Sequence, residues 1–468
     1  PPILFWGPVV LLMSIAVMAL SWVVHQQWVR HEQLSYPLAQ VANAFVRRTQ
    51  GRGVPDIFRS RLFWWGLTPV LLLYSLEYLH QWFPEFLPSL NTVLPDLKEW
   101  RINLAGKFPV IRKSPGSWRV QSSMLCFTLV GLAYFVSSEI GFTVGFHHIL
   151  LVLFGVWYFR ATGTPLSGSD LSFFRAGGYV GYAAILLYTG RSFYWAVARK
   201  AFFFGRPTEH EAGSVMAARI LVLAFTGFWA LLVVVGLDWL IGLLFCLVLM
   251  LMFLVMTRII CETGVPFVQP GWMPGTLLAS TLGSAAVGPT PLVHVMYLGT
   301  VLCQDPRECL MPYAATALKV ADENRVRLRR LFWGLVAAVG LAVAIGFLAS
   351  HWSLYNFGGA RGDGYSVGYV PKYAFNEAVK SIDQMRNTGV LETSRKASGM
   401  GKLALLAPEM ADVRPLLLGG AGVLLFSVLR FRFSRFPLHP AIFLFVGSYA
   451  LYMSWYSFLV GWAVKMLV

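Results

Sequence analysis

Residues 258–303 read RIICETGVPFVQPGWMPGTLLASTLGSAAVGPTPLVHVMYLGTVLC. The stretch is apolar enough for a membrane interior, yet no single helix can run through it. Pro266, Pro270 and Pro274 break the entry, and Gly288, Pro289 and Pro291 break the middle, because proline lacks the N–H that continues a helix. Two half-length helices remain, Met273–Ala286 and Pro291–Val301, each too short to cross about 30 Å of hydrocarbon. Gly275, Ala279, Ser280, Gly283, Ser284 and Ala285 are small and let backbones approach closely. The pattern predicts a re-entrant helical hairpin with its tip at Gly288–Pro291. Backbone groups left unpaired by such a break cannot be satisfied by lipid, so they need protein or a water-filled cavity around them. Secondary transporters place substrate and ion sites at broken helices, using half-helix ends as partial charges. The alternative, a Pro-rich loop before one ordinary span, leaves the later basic loops on the opposite side of the membrane.

Outside this stretch the chain is equally apolar. Of its 468 residues 57% are hydrophobic and 13% charged, where a soluble domain has roughly 25% charged. That is too little charge for a soluble shell, so the fold class is an all-α, polytopic transmembrane bundle. Spans are expected near Ile3–Val24, Leu62–Phe83, Ser122–Ser137, Phe142–Phe159, Ala176–Val197, Met216–Gly236, Trp239–Thr257, Leu331–Ser350, Pro415–Leu429 and His439–Val464. The net charge of +16 comes from Lys and Arg gathered in short loops, which is positive-inside topology rather than a nucleic-acid surface. Arg30, Arg47, Arg48, Arg52, Arg59 and Arg61 put the Val24–Leu62 loop in the cytoplasm. Arg199, Lys200 and Arg206 follow by counting. Arg325, Arg327, Arg329 and Arg330, then Arg430, Arg432 and Arg435, do so only if the 258–303 segment returns to the side it left. Loops 84–119 and 350–414 fall outside. Within the second, Asn356–Tyr369 reads as loop, and Phe375, Ala378, Val379, Ile382 and Met385 form one helical face docked on the outer surface. Segment 35–48 reads as a cytoplasmic amphipathic helix capped by Ser35, with Leu38, Val41, Ala42 and Phe45 as its stripe. The chain begins without Met inside one span and ends inside another, so both ends read as cuts through a longer protein.

Charge at membrane depth costs a few kcal/mol and marks cavities or partners. The candidate substrate or coupling residues are Glu262, Arg258, Gly264, Pro266, Glu139, His147, His148, His294 and Glu77. Glu262 and Arg258 stand directly before the Gly264-Val265-Pro266 break, at a spacing that permits an ion pair closing the helix. Glu139 with His147 and His148 reads either as a proton relay, since imidazole beside carboxylate titrates near neutral pH, or as a solvated turn. Glu77 and His80 read as an interfacial pair, Asp238 as a helix cap, and His294 as the one ionisable group in the hairpin arms. The five cysteines lack metal-ligand spacing with His, so no metal or cofactor is expected. No GxSxG, HExxH or phosphate loop is present, so no catalytic residue is assigned and the chain does not read as an enzyme.

Four blocks carry a resemblance: WVRHEQLSYPLAQVANAF (residues 28–45), VGLAYFVSSEIGFTVGF (130–146), RIICETGVPF (258–267), and the ending FPLHPAIFLF…WYSFLVGWAVK (436–465). Together they resemble bacterial membrane proteins related to the oligopeptide transporter (OPT) family, closest to an uncharacterised branch of it. The resemblance implies a multi-span, proton-coupled secondary carrier of the bacterial cytoplasmic (inner) membrane, taking small peptides or metal chelates. The other class open to this sequence is a non-transporting subunit that keeps the carrier fold, pairs with copies of itself or other membrane subunits, and docks them on its outer loops. Membrane lipid is the partner common to both.

Overall fold

A computed structural model describes residues 2–48, 54–89, 99–101, 104–203, 205, 207–208, 211–266, 268–303, 309–359, 362, 364–433 and 436–467. Arg52, Arg206 and Arg435 of the basic loops lie outside the described residues. The chain is an all-α bundle. It runs through α1 (Pro2–Gln26, extended by a π-helical turn Gln27–His31), α2 (Pro37–Val46) and α3 (Arg61–Trp82) to a two-stranded antiparallel ribbon, β1 (Glu99–Arg101) with β2 (Ser122–Met124). There follow α4 (Phe127–Phe135), α5 (Ser138–Thr162), α6 (Gly168–Thr189), α7 (Arg191–Phe202), α8 (Ala212–Val234) and α9 (Trp239–Thr263). The interrupted stretch gives α10 (Pro274–Leu282), α11 (Ser284–Val287) and α12 (Pro289–Cys303). The rest is α13 (Met311–Glu323), α14 (Leu328–Phe357), α15 (Val370–Asn387), α16 (Leu391–Lys396), α17 (Met410–Arg432), α18 (Ile442–Phe445) and α19 (Tyr449–Leu467).

Among the described residues, seven helices are long and apolar enough to cross a membrane: Leu4–His31, α3, α5, α8, α9, α14 and α17. In three places where hydropathy predicts a span the backbone breaks. Ser122–Met124 is drawn into the ribbon and leaves α4 nine residues. Gly190 parts α6 from α7, and Gly447, at φ +72°, stands between α18 and α19. A left-handed φ costs glycine nothing and other residues about 1–2 kcal/mol.

Two compact units divide the chain. The first comprises Pro1–Ser35, Ser172–Cys261 and Gln269–Leu425. Its α1 and α8 run antiparallel, with Gly213 facing Trp22 and Gly227 facing Leu12. Met18, Ala19, Trp22 and Val23 pack there with Val215, Ala218, Leu318 and Phe332. A loop between α7 and α8 is closed by Lys200 and Glu211, whose carboxylate also accepts from the Thr208 hydroxyl at 2.6 Å. Bonds from Lys200 and then Thr208 hold the Glu211 carboxyl down from 4.5 to about 2. The folded value lies below the unfolded one, so this stabilisation is full above the ordinary carboxylate range and is lost as pH falls toward 2. Glu211→Gln should therefore cost about 1 kcal/mol at neutral pH and nothing near pH 2, read by thermal unfolding at both.

The second unit comprises Tyr36–Leu171, Glu262–Val268 and Phe426–Val468. Here α19 packs along α5 and α4, where Gly145 admits the Leu459 backbone and Gly461 admits Val130. The amphipathic helix is present, but Tyr36, at φ +45°, takes the N-cap place expected of Ser35, and Pro37 opens the helix. Burial of the Tyr36 ring fixes that start. Leu38, Val41 and Ala42 are half-buried, and Phe45 lies against Phe58 and Phe63.

Loop 350–414, in the first unit, is more helical than expected, because α14 continues to Phe357 and a π-helical turn, Gly364–Tyr369, leads into α15. The helix does dock, on α12. Its buried stripe is Ala374, Ala378 and Met385, while Phe375 and Val379 are half exposed. Small residues face the partner helix because they allow close approach.

Candidate functional site

The hairpin occupies the first unit. Its arms are α10 with α11, and α12, so the observed arms match the expected ones within a few residues. They pack face to face where a Cβ on Gly275 would lie 2.8 Å from the Val295 carbonyl oxygen. Its tip lies beside the Gly236–Asp238 turn that precedes α9. Beyond α12 the chain returns to the opposite end of α9. Met311 accepts a hydrogen bond from Ser21, and Asp322 faces His25 at 3.6 Å, both near the α1 end that meets Arg258. Entry and exit therefore share one end, as the charge pattern requires.

Breaking the helix at Gly283 and Gly288 frees backbone carbonyls, and one segment of loop 350–414 satisfies four of them. Glu409 N donates to Ser280 O at 2.9 Å and Ala407 N to Leu282 O at 3.0 Å. Ser394 Oγ donates to Ala285 O at 2.7 Å and Lys402 Nζ to Val287 O at 2.6 Å. Ser280 in turn donates to Asp412 at 2.7 Å. Gly288, at φ +87°, is required twice over, since a Cβ there would meet Lys402 Nζ at 2.7 Å. Lys402 is 3% exposed, and burial pushes its ammonium below the usual lysine range, partly opposed by Asp238. A cavity of about 240 Å³ opens beside the tip, lined by Asp238, Thr290, Ser394, Arg395 and Lys402 among others. Asp238 caps α9 as expected, accepting from Leu240 N at 3.1 Å and Ile241 N at 3.3 Å, and also takes Gly399 N at 2.8 Å.

His294 lies on α12 with Nδ1 2.9 Å from the Thr290 carbonyl. It lines a second, mostly apolar cavity of about 330 Å³ with Trp6, Tyr297 and Phe375.

At the other end of α9, Arg258 forms an ion pair with Glu32, 226 residues earlier. The guanidinium also lies 5.4 Å from the Trp28 ring, and Gln27 Nε2 donates to Glu32 at 3.1 Å. The π-helical turn that ends α1 delivers Gln27, Trp28 and Glu32 together. Such bulges re-aim side chains and recur at functional sites.

In the second unit, Glu262 meets His439, whose Nε2 lies 3.1 Å from Glu262 Oε1. The His439 amide donates to Thr143 Oγ1 at 2.9 Å, and Thr143 donates to the Glu139 carbonyl at 2.8 Å. Gly264, at φ +69°, admits Pro37 so closely that a Cβ would sit 2.6 Å from it, and Pro266 is exposed. The Glu139 carboxylate is about half exposed and pairs with Arg430. His147 and His148 are buried two turns on, against the Val144 carbonyl at 2.6 Å and the Gly116 carbonyl at 3.0 Å. The Glu139–histidine relay therefore does not assemble, because two helical turns separate the groups by about 12 Å and each finds a nearer partner. Glu77 is half-buried on α3, where His80 Nδ1 reaches the Leu87 carbonyl at 2.6 Å.

Sequence reading missed Glu32 and Lys402, which it counted as loop, and His439, which it placed at the start of the last span. His439 did carry a signal, standing between Pro437 and Pro440 in one of the four blocks. Among the described residues, no group of three or more His, Cys, Asp or Glu side chains is placed to hold a metal ion.

No curated protein and no solved structure matches the chain. A family profile described as a family of unknown function (DUF6785) matches residues 1–468, so this helical membrane protein belongs to that family.

Proposed function

We propose that this multi-pass protein is a secondary-active carrier of the oligopeptide-transporter type, importing small peptides or metal chelates across the bacterial cytoplasmic membrane with protons. The observation that carries the reading is the interrupted segment: two short arms, freed carbonyls, and a polar cavity at the tip bearing Asp238, Arg395 and Lys402. Interrupted backbone of this kind is where carriers hold charged substrates. Glu262, at the entry to the interruption and in contact with His439, is the coupling group. The test is uptake of labelled tripeptides and of a ferric chelate into proteoliposomes, with and without an inward proton gradient. Glu262→Gln should lower gradient-driven uptake about tenfold or more. Uptake indifferent to both gradient and substitution sinks proton coupling, and no uptake of either probe sinks the carrier.

One observation favours a second reading. Segment 394–412 grips the hairpin at four carbonyls and one side chain, and a hairpin so held also suits a non-transporting subunit. In that case deleting the grip leaves uptake at zero but releases copurifying membrane subunits.

A further inference from the structure

We infer that the two cavities flanking Leu237 hold two parts of one ligand, a short peptide. Its C-terminal carboxylate meets Lys402 and Arg395 at the hairpin tip, and its last side chain, apolar, lies among Trp6, Tyr297 and Phe375. The inference deepens the carrier reading and rests on it for the choice of a peptide; the charge argument does not need it.

Lys402 carries that argument. A lysine is almost never fully buried unless paired, because an uncompensated buried charge costs several kcal/mol. Lys402 is 3% exposed, yet among the described residues no carboxylate is ion-paired with it, and its ammonium donates to the neutral Val287 carbonyl. An ammonium has three donors, and this one stands in the wall of a cavity. Asp238, in the same wall, is committed to the amides of Leu240, Ile241 and Gly399. Arg395 adds a second positive charge. It pairs at 3.2 Å with Glu392, and both side chains are exposed. Such surface pairs are worth about 0–1 kcal/mol, so the guanidinium can leave for a ligand carboxylate at little cost. The first turn of α12, with Thr290 in the lining, contributes the positive end of a helix dipole.

The second cavity sets what is attached to the carboxylate. Leu237 lines both cavities, and α12 lines the first with Pro289–Pro291 and the second with Val293, His294, Tyr297 and Leu298. One helical turn, about 5 Å, separates the two linings, within the reach of one or two peptide residues. Trp6 meets Tyr297 edge-to-face at 5.7 Å, and Tyr297 lies 5.8 Å from Phe375, so the wall is aromatic. The volumes, about 240 and 330 Å³, fall at or below the small end of ordinary ligand sites, roughly 300–1,000 Å³, as two subsites of one ligand do. A lipid chain would fill the second without needing a buried cation, and a bare anion would fill the first without needing an aromatic wall. A peptide end uses both.

The test is binding to the full-length protein in nanodiscs, by equilibrium dialysis with four probes: a tripeptide ending in phenylalanine, the same peptide amidated at its C-terminus, trialanine, and decanoate. The phenylalanine peptide should bind at least tenfold more tightly than its amide and about tenfold more tightly than trialanine. Lys402→Gln, which keeps a donor for the Val287 carbonyl, should abolish the preference for acid over amide. Arg395→Gln, an exposed substitution that the fold should tolerate, should reduce it severalfold and decides alone if Lys402→Gln does not fold. Phe375→Ala should weaken the phenylalanine peptide and leave trialanine unchanged. Equal binding of acid and amide, or a preference that survives the polar substitutions, overturns the carboxylate assignment. Decanoate binding without either peptide overturns the peptide in favour of a lipid chain. Binding as described without uptake overturns only the carrier, whereas uptake with no preference for acid over amide leaves the carrier and removes this site.

Discussion

Arg258→Leu is expected to destabilise the detergent-solubilised protein by about 3–5 kcal/mol, the usual cost of removing one partner from a buried ion pair. Arg258 and Glu32 side chains are 10% and 14% exposed, so the carboxylate left behind has little water to turn to. Its remaining support is the Gln27 amide. Arg258→Lys keeps the charge but not the planar fork, nor the guanidinium face beside Trp28, so it should fall between. The discriminating variant is the double substitution Glu32→Leu with Arg258→Leu. Paired apolar replacements of buried ions are often neutral, so the double should recover most of the loss and show strong coupling in a mutant cycle. A double as unstable as the sum of the singles would mean that the two residues act separately.

Gly177→Leu should be at least as damaging, with the protein failing to remain monodisperse after mild heating. In the first unit α6 and α17 touch backbone to backbone. A Cβ on Gly177 would lie 1.7 Å from the Leu416 carbonyl oxygen, and one on Gly419 would lie 1.9 Å from that of Phe174. Gly181, one turn after Gly177, faces Gly420 in the same way. No rotamer change relieves a clash with a carbonyl, so the helices must separate, at a cost above about 3 kcal/mol. Gly340 on α14 is the control, since nothing lies within 4 Å of its Cβ position. Gly340→Leu should leave the melting temperature nearly unchanged. Equal effects at the two glycines would show that helix propensity, not close approach, sets the result.

The sequence by itself determined the helical membrane class, seven of the spans, the interruption after Glu262, the cap at Asp238, and the docking of the 370–387 helix. All of these are local: a run of apolar residues fixes span length, proline and glycine fix where a helix stops, and a carboxylate before an apolar run fixes a cap. Charge parity added one non-local inference, that the interrupted segment leaves by the end it entered. Tertiary structure decided the rest. Spacing permitted Arg258 to pair with Glu262 four residues on, but it does not record a partner brought in from far along the chain. Here that partner is Glu32 for Arg258 and His439 for Glu262, 226 and 177 residues away. Glu139 likewise went to Arg430 and the paired histidines to backbone carbonyls. Lys402 read as one more loop charge until the fold laid it against the open carbonyl of Val287. Which distant groups meet depends on how far each helix runs before it turns back, and no spacing within a single element records that.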